Sequence, residues 1–335
     1  MHTNKKGLLS ICCLGYNHAR FIPAAIEAMW KFNDPDMEII AVDDGSSDGS
    51  PELLQKLAAK SPVPMKLILQ KNTGNVGKNF NTAFKQAEGE FVIFVSLDDM
   101  LDAPNITKHL RRMRQDDTLA FTASSKNITI DANGHRGEEI TLPLSSIKKV
   151  TLNDLLEMEY NNFNSFFIQN AIFRKDIVEQ AGAFDEDMTG DDLVLRTKIF
   201  RHMLLNQKKD FAVVDDEFCL YRQHGANVHL NGPRQIKIVT EYLERYWPDR
   251  PVPSVLYDWA EGILNNEPYA TMWDIFALNK RAASLLASKK IQRILIKRIQ
   301  KETSPWRFIY KKDQTDGITK ITLFSYFQFT SKHKR

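Results

Sequence analysis

Cysteine is scarce in this 335-residue chain: there are three, two of them adjacent at Cys12 and Cys13. That pattern offers neither a disulfide framework nor the C-x-x-C spacing of a zinc site, so the expectation is a reducing, cytoplasmic setting. Long apolar runs are missing as well. No segment approaches the roughly 18 apolar residues a membrane span needs, and Leu8 to Leu14 is too short for a secretory signal. Two glycine signatures also fail. Gly74-Asn75-Val76-Gly77-Lys78-Asn79 looks like a phosphate loop, yet Asn72 stands where its first glycine belongs and Asn79 where Ser or Thr is required. No G-x-G-x-x-G follows the first apolar run, so kinase and dehydrogenase readings lose their main support.

What is present is a regular alternation over the first 125 residues. Apolar runs at 8–14, 38–42, 66–70 and 91–97 are separated by helical patterns at 21–32, 50–60 and 77–87, the rhythm of a doubly wound, mostly parallel α/β sheet. Ligands in such sheets bind outside the carboxyl ends of the strands, which makes the residues after each run the candidates. The run Phe91 to Leu97 ends in Asp98 and Asp99. Adjacent carboxylates behind a buried strand suit a divalent metal, although the same pair ahead of Pro104 would also suit a helix N-cap. The run Glu38 to Val42 leads into Asp43-Asp44-Gly45-Ser46-Ser47-Asp48-Gly49-Ser50. A calcium loop would need Gly at its sixth position and Glu at its twelfth, and no register of this segment supplies both, so it reads as a tight turn opening a helix that can hold polar ligand groups.

Charge is unevenly spread. From Lys280 to Arg335 there are fifteen Lys or Arg against three acids (Glu302, Asp313 and Asp316), a net +12, which leaves −9 for residues 1–279 out of the chain's +3. Within that tail Ile291, Ile294, Leu295 and Ile299 share one helical face, while Lys289, Lys290, Arg293, Lys297 and Lys301 share the other. Such a helix can lie on an anionic membrane, or pack its apolar face on its own domain. Trp306, Phe308, Tyr310, Phe324, Tyr326, Phe327 and Phe329 favour the interface, since aromatic rings prefer headgroup level.

Several of these segments together resemble a known family. Leu9-Ser10-Ile11-Cys12-Cys13-Leu14-Gly15-Tyr16-Asn17, Val42 to Gly49, Asn72-Thr73-Gly74 with Lys78-Asn79, Gly89-Glu90-Phe91 and Leu97-Asp98-Asp99 resemble, in order and spacing, the nucleotide-sugar half of a family 2 glycosyltransferase of the GT-A fold. Phe173-Arg174-Lys175, Gly182 to Glu186 and Gly190-Asp191-Asp192-Leu193 resemble its acceptor half. The resemblance implies a catalytic domain over 1–228, divided at about residue 100, and a helical, basic region over 229–335. The chain departs from the family in two places. Ser96 stands where Asp-x-Asp-Asp would begin, removing one carboxylate, and Asp191-Asp192 replaces a Glu-Asp pair. The Gln-x-x-Arg-Trp signature of processive synthases is absent, which implies single addition.

The resemblance assigns roles as expectations. Asp98 and Asp99 would hold Mn2+ or Mg2+, with His224 reaching the metal or diphosphate from the C-terminal side. Tyr16 would pack on the base, Asp44 beside Asp43 would accept from a pyrimidine, and Lys78 would face the diphosphate. Asp192, or else Asp191, would be the general base of an inverting hexosyltransferase. Each has a plainer reading: Tyr16 in the core, Asp44 shaping its turn, Lys78 solvated, His224 structural, Asp191 or Asp192 capping the helix that follows. The donor would be a UDP-sugar and the acceptor a glycan or pyrophosphate lipid in lipopolysaccharide or capsule assembly, at the inner face of the cell membrane. Two rivals stay open, a nucleotidyltransferase acting on a sugar phosphate and a nucleic-acid binder with a basic arm; the acidic body argues against the second, and no nucleic-acid partner is expected.

Overall fold

The computed structural model describes residues 4–303 except 33, 148, 207, 226, 228, 229, 270 and 271, and beyond them the backbone of three strands between 310 and 332. The chain divides into two compact units, Met1–Asn231 with Glu241–Pro253, and Gly232–Thr240 with Ser254–Arg335. Residues 241–253 therefore belong to the first unit, a return that a single boundary at 228 does not anticipate.

In the first unit the four apolar runs become β1 (Lys5–Gly15), β2 (Met37–Asp43), β3 (Met65–Leu69) and β4 (Gly89–Ser96), and the intervening patterns become α1 (Ile22–Trp30), α2 (Ser50–Ala58) and α3 (Val76–Gln86). Local chemistry sets the helix starts. Pro23 occupies the first turn of α1, where its missing N–H costs nothing. Asn75 caps α3 by accepting the Lys78 N–H at 2.8 Å. After β4 come β5 (Met100–Leu101), α4 (Ala103–Gln115), β6 (Leu119–Ser124), β7 (Ile128–Ile130), β8 (Arg136–Glu139) and α5 (Leu152–Asn162). They are followed by β9 (Ala171–Arg174), α6 (Lys175–Gln180), α7 (Asp192–Asn206), β10 (Asp210–Val214) and β11 (Cys219–Arg222). Asp102, not Asp98 or Asp99, caps α4, accepting the Asn105 N–H at 3.0 Å. This frees the pair behind β4 from the capping reading.

The main sheet has seven strands in the order β10-β6-β9-β4-β1-β2-β3. All neighbours run parallel except β9, which is antiparallel to both β4 and β6. A smaller sheet, β5-β11-β7-β8, stands beside the end of β4. Successive residues of β1 serve opposite faces, as the two-residue period of a strand requires. Cys12 and Leu14 enter one core cluster, Ile11 and Cys13 the other. Both adjacent cysteines are buried and free. On the first face Phe94 is the hub, its ring centroid 5.0 Å from Phe184, 5.5 Å from Phe80, 5.7 Å from Phe84 and 6.4 Å from Phe173. It thus joins α3 to the segments that follow residue 170.

The second unit contains the start of α8 (Gly232–Tyr246), then α9 (Ser254–Asn266), α10 (Asp274–Ala277), α11 (Lys280–Ser284) and α12 (Lys289–Thr303). It ends in an antiparallel sheet of β12 (Tyr310–Thr315), β13 (Ile318–Leu323) and β14 (Phe327–Lys332). The expected helical, basic region contains α9 to α12 and adds that sheet beyond them. The amphipathic helix forms as α12, but its apolar face is occupied: Ile291 and Leu295 are buried. Lys290 pairs with Asp258 at 2.8 Å and Glu261 at 2.6 Å of α9, and Arg298 donates to the carbonyls of Asn265 and Glu267. The helix therefore packs on its own unit, which withdraws the apolar face from the lipid-inserting reading. Lys289, Arg293, Lys297 and Lys301 remain exposed. Trp306, Phe308, Phe324 and Tyr326 lie outside the described residues, as do the side chains of Tyr310, Phe327 and Phe329. Among the described residues no helix is long and apolar enough to cross a membrane.

Removing the Phe94 ring would open a cavity at the meeting point of four aromatic rings. Phe94→Ala should lower stability by about 3–5 kcal/mol, read as a shift in the urea midpoint.

Candidate active site

Three chain segments meet at the carboxyl ends of β1, β2 and β4. Behind β1, Tyr16 is 48% exposed, so it is not a core aromatic. Asn17 turns the chain in the left-handed region (φ 55°). Its N–H donates to Ser46 Oγ at 2.8 Å, and its Oδ1 accepts the Ser47 N–H at 2.9 Å. Behind β2, Asp43 accepts the Ser46 N–H (2.9 Å) and hydroxyl (2.6 Å). Asp44 Oδ1 accepts the Thr73 N–H (2.8 Å) and the Gln70 side-chain amide (3.0 Å). Asn79 Oδ1 completes this network through Gln70 and Thr73. Of the segment that looked like a phosphate loop, Asn79 joins the polar network around Asp44. Gly45 is indispensable to the turn: its φ is +75°, and a Cβ there would sit 2.6 Å from the Asn72 backbone nitrogen. Lys78 is exposed in the first turn of α3.

The two carboxylates behind β4 take different roles. Asp98 Oδ2 lies 3.1 Å from His224 Nε2 and 3.7 Å from His18 Nε2, while its Oδ1 is buried with no hydrogen-bond partner. Burial pushes the Asp98 carboxyl up, but the His18 ring and its hydrogen bonds outweigh this and hold it below the usual value. Burial also lowers the His18 imidazole, against the pull of Asp98, so it favours the neutral form a metal ligand needs. Asp99 accepts the Arg222 N–H through Oδ1 at 2.8 Å and the Gln169 amide through Oδ2 at 3.3 Å. Its carboxyl is raised well above the ordinary value by burial and by the charge of Asp98. The expected pair of metal ligands is therefore revised. The donor atoms brought within 4.8 Å of one another belong to His18, Asp98 and His224, and Asp99 is not among them. Two imidazoles and one carboxylate, an oxygen of which has no hydrogen-bond partner, fit a divalent ion.

Arg222 braces this corner. Its Nε donates to the Asp98 carbonyl at 2.6 Å and its Nη1 to the Asp131 carbonyl at 2.9 Å, and its guanidinium lies 5.0 Å from the centre of the Phe21 ring. The Phe21 ring in turn packs against His224 at 4.7 Å.

Asp192 opens α7 and turns Oδ2 toward the Ile168 N–H at 3.4 Å. The next residue, Gln169, is the one that reaches Asp99, so a single short turn touches both carboxylates. The Asp192 carboxyl is raised to about 7 by burial and then by the charge of Asp191, against the pull of Arg196. Arg196 Nη1 stands 3.6 Å from Asp192 Oδ2, and the guanidinium is clamped by Glu159 through Nε at 2.7 Å and Nη2 at 3.1 Å. Sequence reasoning missed His18, Gln169, Arg222 and the Arg196–Glu159 pair. His18 had one visible signal, its place two residues after Tyr16.

A model of glycosyl transferase family 2 matches residues 10–182, just over half of the chain. The chain belongs to that family. An uncharacterized glycosyltransferase of Nostoc is 25% identical over 232 residues, covering 67% of each chain. The GalNAc(5)-diNAcBac-PP-undecaprenol beta-1,3-glucosyltransferase of Campylobacter jejuni is 26% identical over 70% of this chain and 72% of its own. The poly(ribitol-phosphate) beta-N-acetylglucosaminyltransferase TarS of Staphylococcus aureus is 36% identical over 89 residues, and the chain spans only 15% of that relative. Among solved structures, TarS residues 1–349 in complex with UDP-GlcNAc align over 97% of this chain and 100% of theirs, with a TM-score of 0.56 at 19% identity. At that identity the match supports the GT-A fold of this family 2 member, and its substrates are a separate matter.

The division of labour behind β4 gives a sharp contrast. Asp98→Asn should cut glycosyl transfer by 100-fold or more, on the order of an interaction worth about 3 kcal/mol. Asp99→Asn keeps an acceptor for the Arg222 N–H and should cost less than about tenfold. Turnover of both variants, alongside their thermal unfolding, checks the assignment.

Proposed function

We propose that the chain transfers one hexose, with inversion, from a uridine diphosphate sugar to a glycan or pyrophosphate-lipid-linked acceptor in bacterial surface-polysaccharide synthesis. The observation that carries this reading is a carboxyl poised to titrate near neutral pH, Asp192, linked by residues 168 and 169 to the carboxylate pair behind β4. A general base works best when its pKa lies near the working pH. The names of the Campylobacter and Staphylococcus relatives support the acceptor and donor classes.

In this reading the exposed Tyr16 ring lies against the base, Asp43 and Asp44 hold the turn that receives the pyrimidine, and Lys78 faces the diphosphate. Asp98 with His224 and His18 would hold Mn2+ or Mg2+, which when bound supplies a Lewis acid for the leaving diphosphate. Asp192 takes the acceptor hydroxyl's proton as that oxygen bonds to the anomeric carbon and the bond to the diphosphate breaks. Asp191 raises the basicity of its neighbour, and Arg196 keeps the charged form accessible. An anionic membrane surface would meet the exposed basic face of α12 by charge rather than by insertion.

With Asp192 as base, turnover should climb as pH rises through about 7 and the carboxyl loses its proton. Its folded value lies above the unfolded value of about 3.9, so this group's contribution to stability falls as pH rises between the two. Asp192→Asn should therefore lose about 10²–10⁴ in kcat while unfolding at the same or a higher temperature at pH 8. Full activity in that variant sinks the base assignment. Release of pyrophosphate from a nucleoside triphosphate, in place of a nucleoside diphosphate from a sugar donor, would make the chain a nucleotidyltransferase.

A further inference from the structure

Ser96 occupies the place where the family pattern begins with a carboxylate; its hydroxyl donates to the Leu14 carbonyl at 3.4 Å and helps lower the neighbouring Asp98 carboxyl, but it brings no carboxylate of its own. The strand end therefore brings one available carboxylate, Asp98, to the cluster, because both oxygens of Asp99 are engaged by Arg222 and Gln169. A second side chain enters the same space from the loop after β1. His18 is anchored there by its backbone N–H, which donates to Ser50 Oγ at 3.2 Å, and by the Phe21 ring at 6.3 Å.

Hydrogen bonding alone explains this corner poorly. His18 Nε2 sits 3.7 Å from Asp98 Oδ2, beyond hydrogen-bond range. His18 Nδ1 and Asp98 Oδ1 are both buried with no partner, and buried polar atoms left so are costly and uncommon. Asp98 is only 7% exposed, so its free oxygen cannot simply be hydrated at the surface. Three side chains from distant parts of the sequence converge on a space that a cation would satisfy.

We propose that His18 is a direct ligand of the divalent ion, standing in for the carboxylate absent at Ser96, and that the resulting His18–Asp98–His224 set prefers nitrogen-accepting transition ions to Mg2+. The inference rests on the reading that an ion is bound at Asp98. Its chemistry follows from the donor atoms. Mg2+ demands a near-octahedral shell of hard oxygens and gives up water reluctantly. Imidazole nitrogen raises affinity along the first-row series, so the order becomes Mg2+ below Mn2+ below Co2+. Diphosphate oxygens and water would complete the shell.

The test uses the full chain without donor or acceptor, so it can fail or succeed independently of sugar transfer. Calorimetric titration should rank Co2+ above Mn2+ above Mg2+. Pulsed electron paramagnetic resonance of bound Mn2+ should show coupling to nitrogen from two imidazoles in the unaltered chain and from one in His18→Ala. The same variant should bind Mn2+ at least about tenfold more weakly, a loss of about 1.4 kcal/mol, with Mg2+ affinity changed by less than about threefold. His18→Asp should restore an oxygen donor and move the preference toward Mg2+. Should His18→Ala fold poorly by circular dichroism, His18→Gln and the two-nitrogen signature of the unaltered chain carry the test. One nitrogen or none in the unaltered chain overturns the proposal, and so does Mg2+ bound as tightly as Mn2+. Metal binding as described without any sugar transfer would leave the ligand assignment standing and remove the proposed function.

Discussion

Two carboxylates on consecutive residues, both almost fully buried, cannot both be charged and unattended, and the reactive end of the first unit is organised around that constraint. In a low-dielectric site each raises the other's proton affinity. The fold resolves the conflict by giving them different surroundings. Asp98 receives two imidazoles and stays below the usual carboxylate range, whereas Asp99 receives a backbone N–H and a neutral amide and is raised well above it. Arg222 makes the separation possible because it serves both residues through different atoms: its backbone N–H goes to the Asp99 side chain, its guanidinium to the Asp98 carbonyl. Strand β11, which carries Arg222, pairs with β5 directly behind the carboxylates. The small second sheet thus acts as the frame of the site.

The same logic recurs around Asp192. Arg196 is fully buried, and a lone guanidinium there would be untenable, so Glu159 of α5 clamps it while Ser165 adds its N–H and hydroxyl to the same carboxylate oxygen. Breaking such a buried pair by removing one partner strands a charge at a cost of about 3–5 kcal/mol, which is why a pair of this kind fixes the start of α7 firmly. Asp192 then feels a fixed positive charge on one side and Asp191 on the other. Its proton affinity is a balance set by packing several residues away, and the turn at residues 168–169 touches both Asp192 and Asp99.

The sequence disclosed what depends on repetition and chain proximity. Apolar β-branched runs ending in acids revealed β2 and β4, and the alternation with helical patterns revealed the doubly wound sheet. What stayed hidden depends on encounters between distant segments. Strand β9 is four residues long and reversed in direction, too short for a period to register, yet it sits between β4 and β6. Arg174 at its end is buried and reaches the Leu119, Met113 and Asp116 carbonyls, contacts that no local pattern announces. Asp98 and Asp99 look alike in one dimension and part company only when Arg222 arrives 123 residues later. His18 has only its place two residues after Tyr16 to mark it until β1 and β4 lie side by side and bring their ends together. The amphipathic face of α12 was visible, but periodicity says that a face is covered, not by what; here Ile291 and Leu295 are buried within the helix's own unit, and Lys290 pairs with Asp258 and Glu261 of α9 at its edge.

Asn79 shows how an unmet motif can still be informative. A phosphate loop needs a hydroxyl at that position to reach Mg2+, and an amide cannot supply it. The amide oxygen here accepts from both Gln70 and Thr73 while Gln70 and the Thr73 N–H hold Asp44. Asn79 of that segment therefore supports the residues that hold the turn after β2, while Asn75 caps α3 and donates to the Glu186 and Met188 carbonyls. Since Gly45 packs its bare Cα against the Asn72 backbone, the loops after β2 and β3 form one unit, and Asp44 is held by Gln70 and Thr73, just ahead of the segment that first suggested a different chemistry.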